Sequence, residues 1–165
     1  MALKNKPIPL IIEIGDPDLE RVENLWKALY EEQITLSPDL ILSIDGFADW
    51  ANTFRNILGR FGFVLAAECD GALLGFIAGR IKLPTPPFQA VPVGFISEVF
   101  VDASHRGMGI GKKLVQAAEA WFCSNEIKSM ELQVLHDNST AQLFYQSNGW
   151  NVSLLHMTRL VLPKT

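Results

Sequence analysis

Arg106-Gly107-Met108-Gly109-Ile110-Gly111 is the segment from which the rest of this chain can be read. Before it, Phe95-Ile96-Ser97-Glu98-Val99-Phe100-Val101 is rich in aromatic and β-branched residues and short enough for a buried strand. After it, Ile110, Leu114, Val115, Ala118, Trp121 and Phe122 recur at helical spacing and give one face an apolar stripe. Strand, glycine-rich turn and helix start, in that order, put free backbone N–H groups in front of an anion. Glycine lets the main chain approach phosphate oxygens, because no Cβ stands between them. A connection that merely needs unusual dihedrals would also use glycine. It explains less well why three of them crowd a helix start, where they cost backbone entropy. A phosphorylated ligand is the expectation.

Spacing separates the possible phosphate motifs. A dinucleotide fingerprint needs glycines at relative positions 1, 3 and 6. Counting from Gly107 puts Lys112 at the last of these, and counting from Gly109 puts Leu114 there. A Walker loop needs a glycine five residues before Gly111-Lys112 and a Ser or Thr after the lysine. Those positions hold Arg106 and Lys113. Neither pattern fits.

The pattern that fits is Arg-x-x-Gly-x-Gly at Arg106, Gly109 and Gly111, preceded by an apolar strand ending in Val101. It resembles the acyl-CoA-binding motif of the GNAT superfamily of N-acyltransferases. Downstream, Met130 to Leu135 looks like that family's fifth strand. Asn138, Ala141, Phe144, Tyr145, Gly149 and Trp150 match its Asn-x-x-Ala-x-x-x-Tyr-x-x-x-Gly-aromatic helix and turn. The close match runs from about Gly94 to about Trp150, and residues upstream fit by element order alone.

Bulk properties agree with one enzyme-sized domain over residues 1–165. Hydrophobic residues make up 48% of the chain, enough for a core rather than a disordered segment. A net charge of −4 with no dense basic tract argues against nucleic acid as the main partner. Cys69 and Cys123 are too few for a disulfide framework, and with His105, His136 and His156 scattered no zinc spacing exists, so no metal is expected. The apolar run Pro9 to Ile12 is stopped by Glu13, too short for a signal core, and nothing approaches a membrane span. A reduced, cytoplasmic setting with no membrane partner is the simplest expectation.

Along the chain, Ile8 to Ile14 reads as a strand, and Asp16 or Asp18 can cap a helix running to about Gln33. Leu19, Val22, Leu25, Trp26 and Leu29 share one face of that helix. Ser37-Pro38-Asp39 opens a second, uneven helical region that reaches about Gly59, with a break near Asp45-Gly46. Asp70-Gly71, between Phe61–Cys69 and Ala72–Lys82, is a strong hairpin signal. Leu83 to Pro92 carries Pro84, Pro86, Pro87 and Pro92 and is expected to cross the surface. The last third predicts a strand over Ser129–Leu135, a helix over Asn138–Gln146, and two short strands ending near Leu162. The order is β-α-α-β-β-β-α-β-α-β-β: an α/β domain with a mixed, mostly antiparallel central sheet and helices on both faces.

The resemblance assigns roles to particular residues. It implies that main-chain amides from Arg106 through Gly107, Met108, Gly109, Ile110 and Gly111 hold the CoA pyrophosphate, with Lys112 and Lys113 adding charge near the adenosine phosphate. It further implies that the fourth and fifth strands splay, so that pantetheine bonds to the main chain of Val99, Phe100 and Val101. Val99 N–H would then stabilise charge developing on the thioester oxygen. Tyr145 would protonate the departing thiolate, and Asn138 would cap its helix and touch the pantetheine arm.

Several residues admit two readings. Glu98, a carboxylate in an apolar strand, is either a charge that faces solvent or an arginine, or the base that deprotonates the amine. Arg106 is divided between a phosphate contact and a structural pairing. His136 is a reserve base. Cys123, on the striped helix, reads as a small core residue, which favours direct transfer over a covalent acyl-enzyme.

The activity implied is transfer of an acetyl group from acetyl-CoA to a primary amine, small or on a peptide or protein. A non-catalytic acyl-CoA-binding module is the alternative. Family members are often dimers, so a homodimer stays open. By resemblance the acceptor is shaped by Leu19–Arg60, Leu83–Pro92 and Val152–Leu162. Phe47, Trp50, Phe54 and Phe88 there are either pocket wall or core.

Overall fold

Asp70 and Gly71 both take positive φ, 50° and 81°, as a tight type I′ hairpin requires. They join the two long strands at the centre of the sheet. In the computed structural model, which describes residues 9–84, 87 and 91–159, these are β2 (Gly62–Cys69) and β3 (Ala72–Lys82). With β1 (Leu10–Glu13), β4 (Val93–Val101) and β5 (Met130–Leu132) they form one sheet in chain order. The first three pairings are antiparallel and β4–β5 is parallel. A parallel neighbour needs a crossover, supplied by α3 (Ile110–Ser124). Ile8, expected at the start of the first strand, lies outside the described residues.

Each face of the sheet buries its own helices. On one side α1 (Glu23–Leu36) and α2 (Gly46–Arg55) pack over Val64, Ala66, Phe76, Ala78 and Phe100. On the other, α3 covers Phe63, Leu65, Ala67, Ile77 and Ile96, with α4 (Ser139–Ser147) alongside through Phe144 and Tyr145. The central strands are therefore buried on both faces, which is why β2 and β3 read as apolar runs rather than alternating ones. The apolar stripe expected from sequence is buried in full: Leu19 and Val22 just ahead of α1, and Leu25, Trp26 and Leu29 on it, all lie in the core.

Four local expectations are corrected. Residues 16–22 form a 3₁₀ segment ahead of α1, and neither Asp16 nor Asp18 caps it. Asp16 instead accepts a 2.7 Å bond from Arg55 Nε on α2. The uneven helical region resolves into turns over 37–45 and a helix starting only at Gly46, because Ser37-Pro38-Asp39 favours a turn. The fifth strand is three residues long instead of running to Leu135. Residues 151–159 carry no strand: Val152, Leu154, Leu155 and Met157 stand exposed, without the ladder partner a strand needs. Leu160 to Leu162 lie outside the described residues, as does Phe88.

Candidate functional site

The register of β4 against β3 slips by one residue: Ala78 faces Glu98 while Gly79 faces Ile96. Ser97 is the extra residue, a β-bulge that resets which side chains point to which face. Ile96 packs under α3, whereas Glu98 and Phe100 turn toward α1 and α2. Without the bulge, Ile96 and Glu98 would share a face. The same strand loses its other neighbour at this point. Pairing with β5 covers Gly94–Met130, Phe95–Glu131 and Ile96–Leu132 and then stops. From Ser97 to Val101, the edge of β4 facing β5 has no strand beside it among the described residues.

Strand alternation shows which peptide groups line this gap. Asp102 N–H bonds to Leu74 O on β3, 2.9 Å away, so its peptide points to β3. Phe100 points the same way, while Val99 and Val101 point into the gap. Val101 O already accepts Arg106 Nε at 2.9 Å. Among the described residues the Val99 N–H has no partner on that side.

The glycine segment follows directly. Asp102 accepts from the Ser104 N–H and hydroxyl and lies 3.1 Å from His105 Nδ1, closing one 3₁₀ turn. The Ser104 and His105 bonds hold its carboxyl below the ordinary aspartate range. Gly107 and Gly109 then adopt φ of 77°, a conformation that costs other residues roughly 1–2 kcal/mol. This backward curl brings the main chain onto the α3 axis. Among the described residues, no backbone N–H from Gly107 to Lys112 has a protein acceptor; Lys113 N–H is the next bonded one, to Gly109 O at 3.1 Å. A row of unbonded donors at a helix N-terminus is an anion site by construction. A Cβ at Gly107 or Gly109 would meet nothing within 4 Å, so the space before the loop is open.

Arg106, at the head of the segment, has its side chain committed. Besides Val101 O it bonds Glu32 of α1 at 2.7 Å and lies 5.3 Å over the Phe100 ring. Of the two sequence readings, this geometry is the structural pairing. Lys112 is exposed. Together with Gln116, Glu119, Asn148 and Trp150 it lines a groove of about 240 Å³ between α3 and the end of α4, continuous with the loop through Lys112.

Asn138 caps α4 as its sequence position requires, accepting from Ala141 N–H at 3.0 Å. One face of α4 presents Phe144 and Tyr145 to the α3-side core. Tyr145 packs edge-on against Phe144 and Trp150, and burial pushes its phenol up to about 12. Its hydroxyl has no hydrogen-bond partner among the described residues and stays a proton donor at any neutral pH. His136 is exposed, and its backbone oxygen accepts from Gln142 Nε2 at 2.6 Å. Cys123 is exposed on α3, not a core residue as expected.

Glu98 is 6% exposed, beneath α1 and α2. Its Oε1 accepts from Tyr30 Oη at 3.0 Å, and Oε2 accepts from Ser97 Oγ. The indole N–H of Trp50 favours the charged form from close by, short of an ordinary hydrogen bond. Burial outweighs these contacts and raises the carboxyl above its usual range; the bonds from Ser97 and Tyr30, the nearby Trp50 N–H and the charge of Arg80 oppose it. Tyr30 is the partner that the sequence did not expose. It sits four residues after Trp26 on the apolar face of α1, where an aromatic reads as core, and Glu98 is 68 residues away. Of the aromatic residues weighed as pocket wall, Trp50 and Phe54 are buried in the α1–α2 core. Phe47 is partly buried and, with Trp26, Leu42, Ile44 and Asp45, lines a separate depression of about 190 Å³.

A sheet opened between a bulged fourth strand and a short parallel fifth, with unbonded amides at the next helix start, defines a class. The acetyltransferase (GNAT) family model matches residues 19–150, and the chain belongs to that family. It is an acyltransferase with acetyl-CoA as co-substrate. A protein described as an uncharacterized N-acetyltransferase, from Archaeoglobus fulgidus, is 37% identical over 100 residues, which are 60% of this chain and 67% of that protein. The aminoglycoside N(6')-acetyltransferase type 1 of Salmonella typhimurium is 27% identical over 85 residues, 51% of this chain and 59% of its own length. Among solved structures, a tetramutant of BH1408 from Bacillus halodurans matches with a TM-score of 0.80 at 22% identity, over 92% of this chain and 99% of that one. Aminoglycoside N-acetyltransferase AAC(6')-Iy in complex with CoA gives 0.70 at 19% identity, over 99% of both. At those identities the two structures establish the fold.

Proposed function

We propose that a bound primary amine attacks the acetyl thioester directly, in a single N-acetyltransferase domain with no covalent acyl-enzyme. The observation that carries this reading is the row of unbonded amides from Gly107 to Lys112 opening onto the gap beside β4. Diphosphate oxygens suit the first and the amide-bearing pantetheine arm suits the second, along the main chain of Val99 and Val101; the Phe100 peptide between them, expected to join in, is turned to β3 instead. An acetyl group carried down that gap ends beside Val99 N–H, a donor placed where the carbonyl oxygen gains charge. The amine approaches from the α1–α2 side, where Glu98 takes its proton. Tyr145 approaches from the α3–α4 side and protonates the departing sulfur. Separating acid and base across the sheet suits a reaction in which nucleophile and leaving group occupy opposite sides of one carbonyl.

The acceptor is an amine; aminoglycosides are what the named Salmonella relative and AAC(6')-Iy are called after. We place the enzyme in the cytoplasm, without nucleic acid or membrane as partner. This is supported by the net charge of −4 and by the absence, among the described residues, of a helix long and apolar enough to cross a bilayer. A homodimer is consistent with the exposed apolar residues at 152–157. Calorimetry with CoA, followed by thiol release from acetyl-CoA with a panel of amines, tests the reading. Binding with amine-dependent release supports it, binding without release leaves only a CoA-binding module, and no binding refutes it.

A further inference from the structure

Glu98 has a defect as a base: it is buried and both carboxylate oxygens are bonded within the protein. Oε2 is held by Ser97, the Trp50 indole lies over the α2 side, and the residue is 6% exposed. The remaining oxygen is taken by Tyr30, which, unlike Glu98, is only partly buried. Its ring packs 4.3 Å from that of Trp26, and its hydroxyl is directed at the Glu98 carboxylate. A phenol that donates to a carboxylate still has lone pairs to accept with.

We propose that Tyr30 is a catalytic residue of the transfer, the group through which the acceptor amine hands its proton to Glu98. The inference rests on the reading of Glu98 as base given above. The acceptor ammonium donates to Tyr30 Oη. As that proton moves onto the phenol oxygen, the phenol's own proton moves to Glu98 Oε1, so Tyr30 ends neutral and never becomes a phenolate. The freed amine forms the N–C bond while the C–S bond breaks. The departing sulfur takes a proton from Tyr145, the second nitrogen proton restores Tyr145 through solvent, and Glu98 returns its proton by way of the Tyr30 phenol to solvent as the product leaves.

The surroundings are consistent with this path. Burial and the facing carboxylate hold the Tyr30 phenol well above its ordinary value, which disfavours a phenolate and favours concerted transfer. The groups that face Glu98 are Tyr30 from α1, Trp50 from α2, Ser97 beside it on β4, and Arg80 from β3 as the one charge. Trp50 and Arg80 offer donors only; Ser97, whose hydroxyl is shared between Glu98 and Ala78 O at 3.3 Å, is the one other group of these that can both donate and accept.

The chain has two tyrosines, which makes the test direct. With ring-labelled tyrosine the carbon spectrum shows two phenol signals, and Tyr145→Phe assigns them. The Tyr30 signal should titrate with Glu98 in the wild type and lose that step in Glu98→Gln. Turnover is then read for phenethylamine, spermidine and kanamycin, with acetyl-CoA hydrolysis as the readout if none is taken. Tyr30→Phe and Glu98→Gln should each lower kcat about 100-fold, and the double variant should fall no further than the worse single by more than about threefold. Acetyl-CoA affinity, unchanged in all three, reports that the fold is intact. Tyr30→Phe at near wild-type kcat beside an impaired Glu98→Gln overturns the relay and leaves Glu98 as base through water. Wild-type turnover in Glu98→Gln removes the base itself. A Tyr30 signal that ignores pH, or titrates unchanged in Glu98→Gln, breaks the pair whatever amine is used.

Discussion

Ile96 and Leu132 are the last facing residues of β4 and β5; beyond them the two strands share no pairing. Everything the site needs begins at that point. One residue further along β4 lies the Ser97 bulge, and the next is Glu98, turned to the opposite face from Ile96. The reversed facing follows from that bulge, and the open edge and the glycine segment lie just beyond it along the same chain. Other residues hold that strand in place, and each can be tested.

Gly75 sits opposite Val101 on β3, and a Cβ built there would lie 2.6 Å from Phe100 O. The contact is backbone and cannot swing away. Gly75→Ala should destabilise the fold by about 1–3 kcal/mol and push β3 off the functional half of β4. Thermal unfolding with CoA binding checks it; an unchanged melting temperature would mean that the strands are less tightly apposed.

Arg106 reaches Val101 O, Glu32 and the Phe100 ring rather than the open loop. Arg106→Ala should cost about 1 kcal/mol of stability, with the Kd for CoA raised less than about threefold. A loss of CoA affinity of 100-fold or more would reassign the guanidinium to phosphate.

Tyr145→Phe should cut turnover by about 100-fold while leaving acetyl-CoA affinity nearly intact, because the hydroxyl has no partner to lose among the described residues. With the phenol pushed up to about 12, its ionisation contributes no alkaline decline to the rate below about pH 10. Unchanged turnover would remove it from the mechanism.

Glu98 has its folded pKa raised, chiefly by burial, so the folded state holds this proton more tightly than the unfolded chain. The resulting stabilisation is complete below the unfolded carboxyl range of about 4.3 and is lost as pH rises through the higher folded value. Glu98→Gln, which has no proton to lose, should therefore gain in melting temperature over the wild type as pH climbs from about 4 toward 8. A difference that stays flat across that range would show that the carboxyl is not raised.

What could be read from the residues was whatever periodicity and turn chemistry encode locally. Asp70-Gly71, the α1 stripe from Leu19 to Leu29 and the Asn138 cap are all short-range signals, and each appears where the spacing placed it. The glycine segment was legible for the same reason, since only glycine takes the φ of 77° found at Gly107 and Gly109 without strain. The Ser97 bulge, the early end of β5 and the Tyr30–Glu98 bond are agreements between segments far apart in the chain. No local pattern marks them: Ser97 is one polar residue in a strand, and Tyr30 is one aromatic among several on α1. Arg106 stayed divided until its partner Glu32, 74 residues away, was in view.

The most direct test of the central claim is the amide spectrum of nitrogen-labelled protein titrated with CoA. The account predicts that the N–H resonances of Gly107, Gly109 and Gly111 move downfield in proportion to occupancy, and that Gly109→Trp abolishes both the shifts and the binding. Saturable binding of CoA with those resonances unmoved would place the coenzyme elsewhere and contradict the site described for this chain.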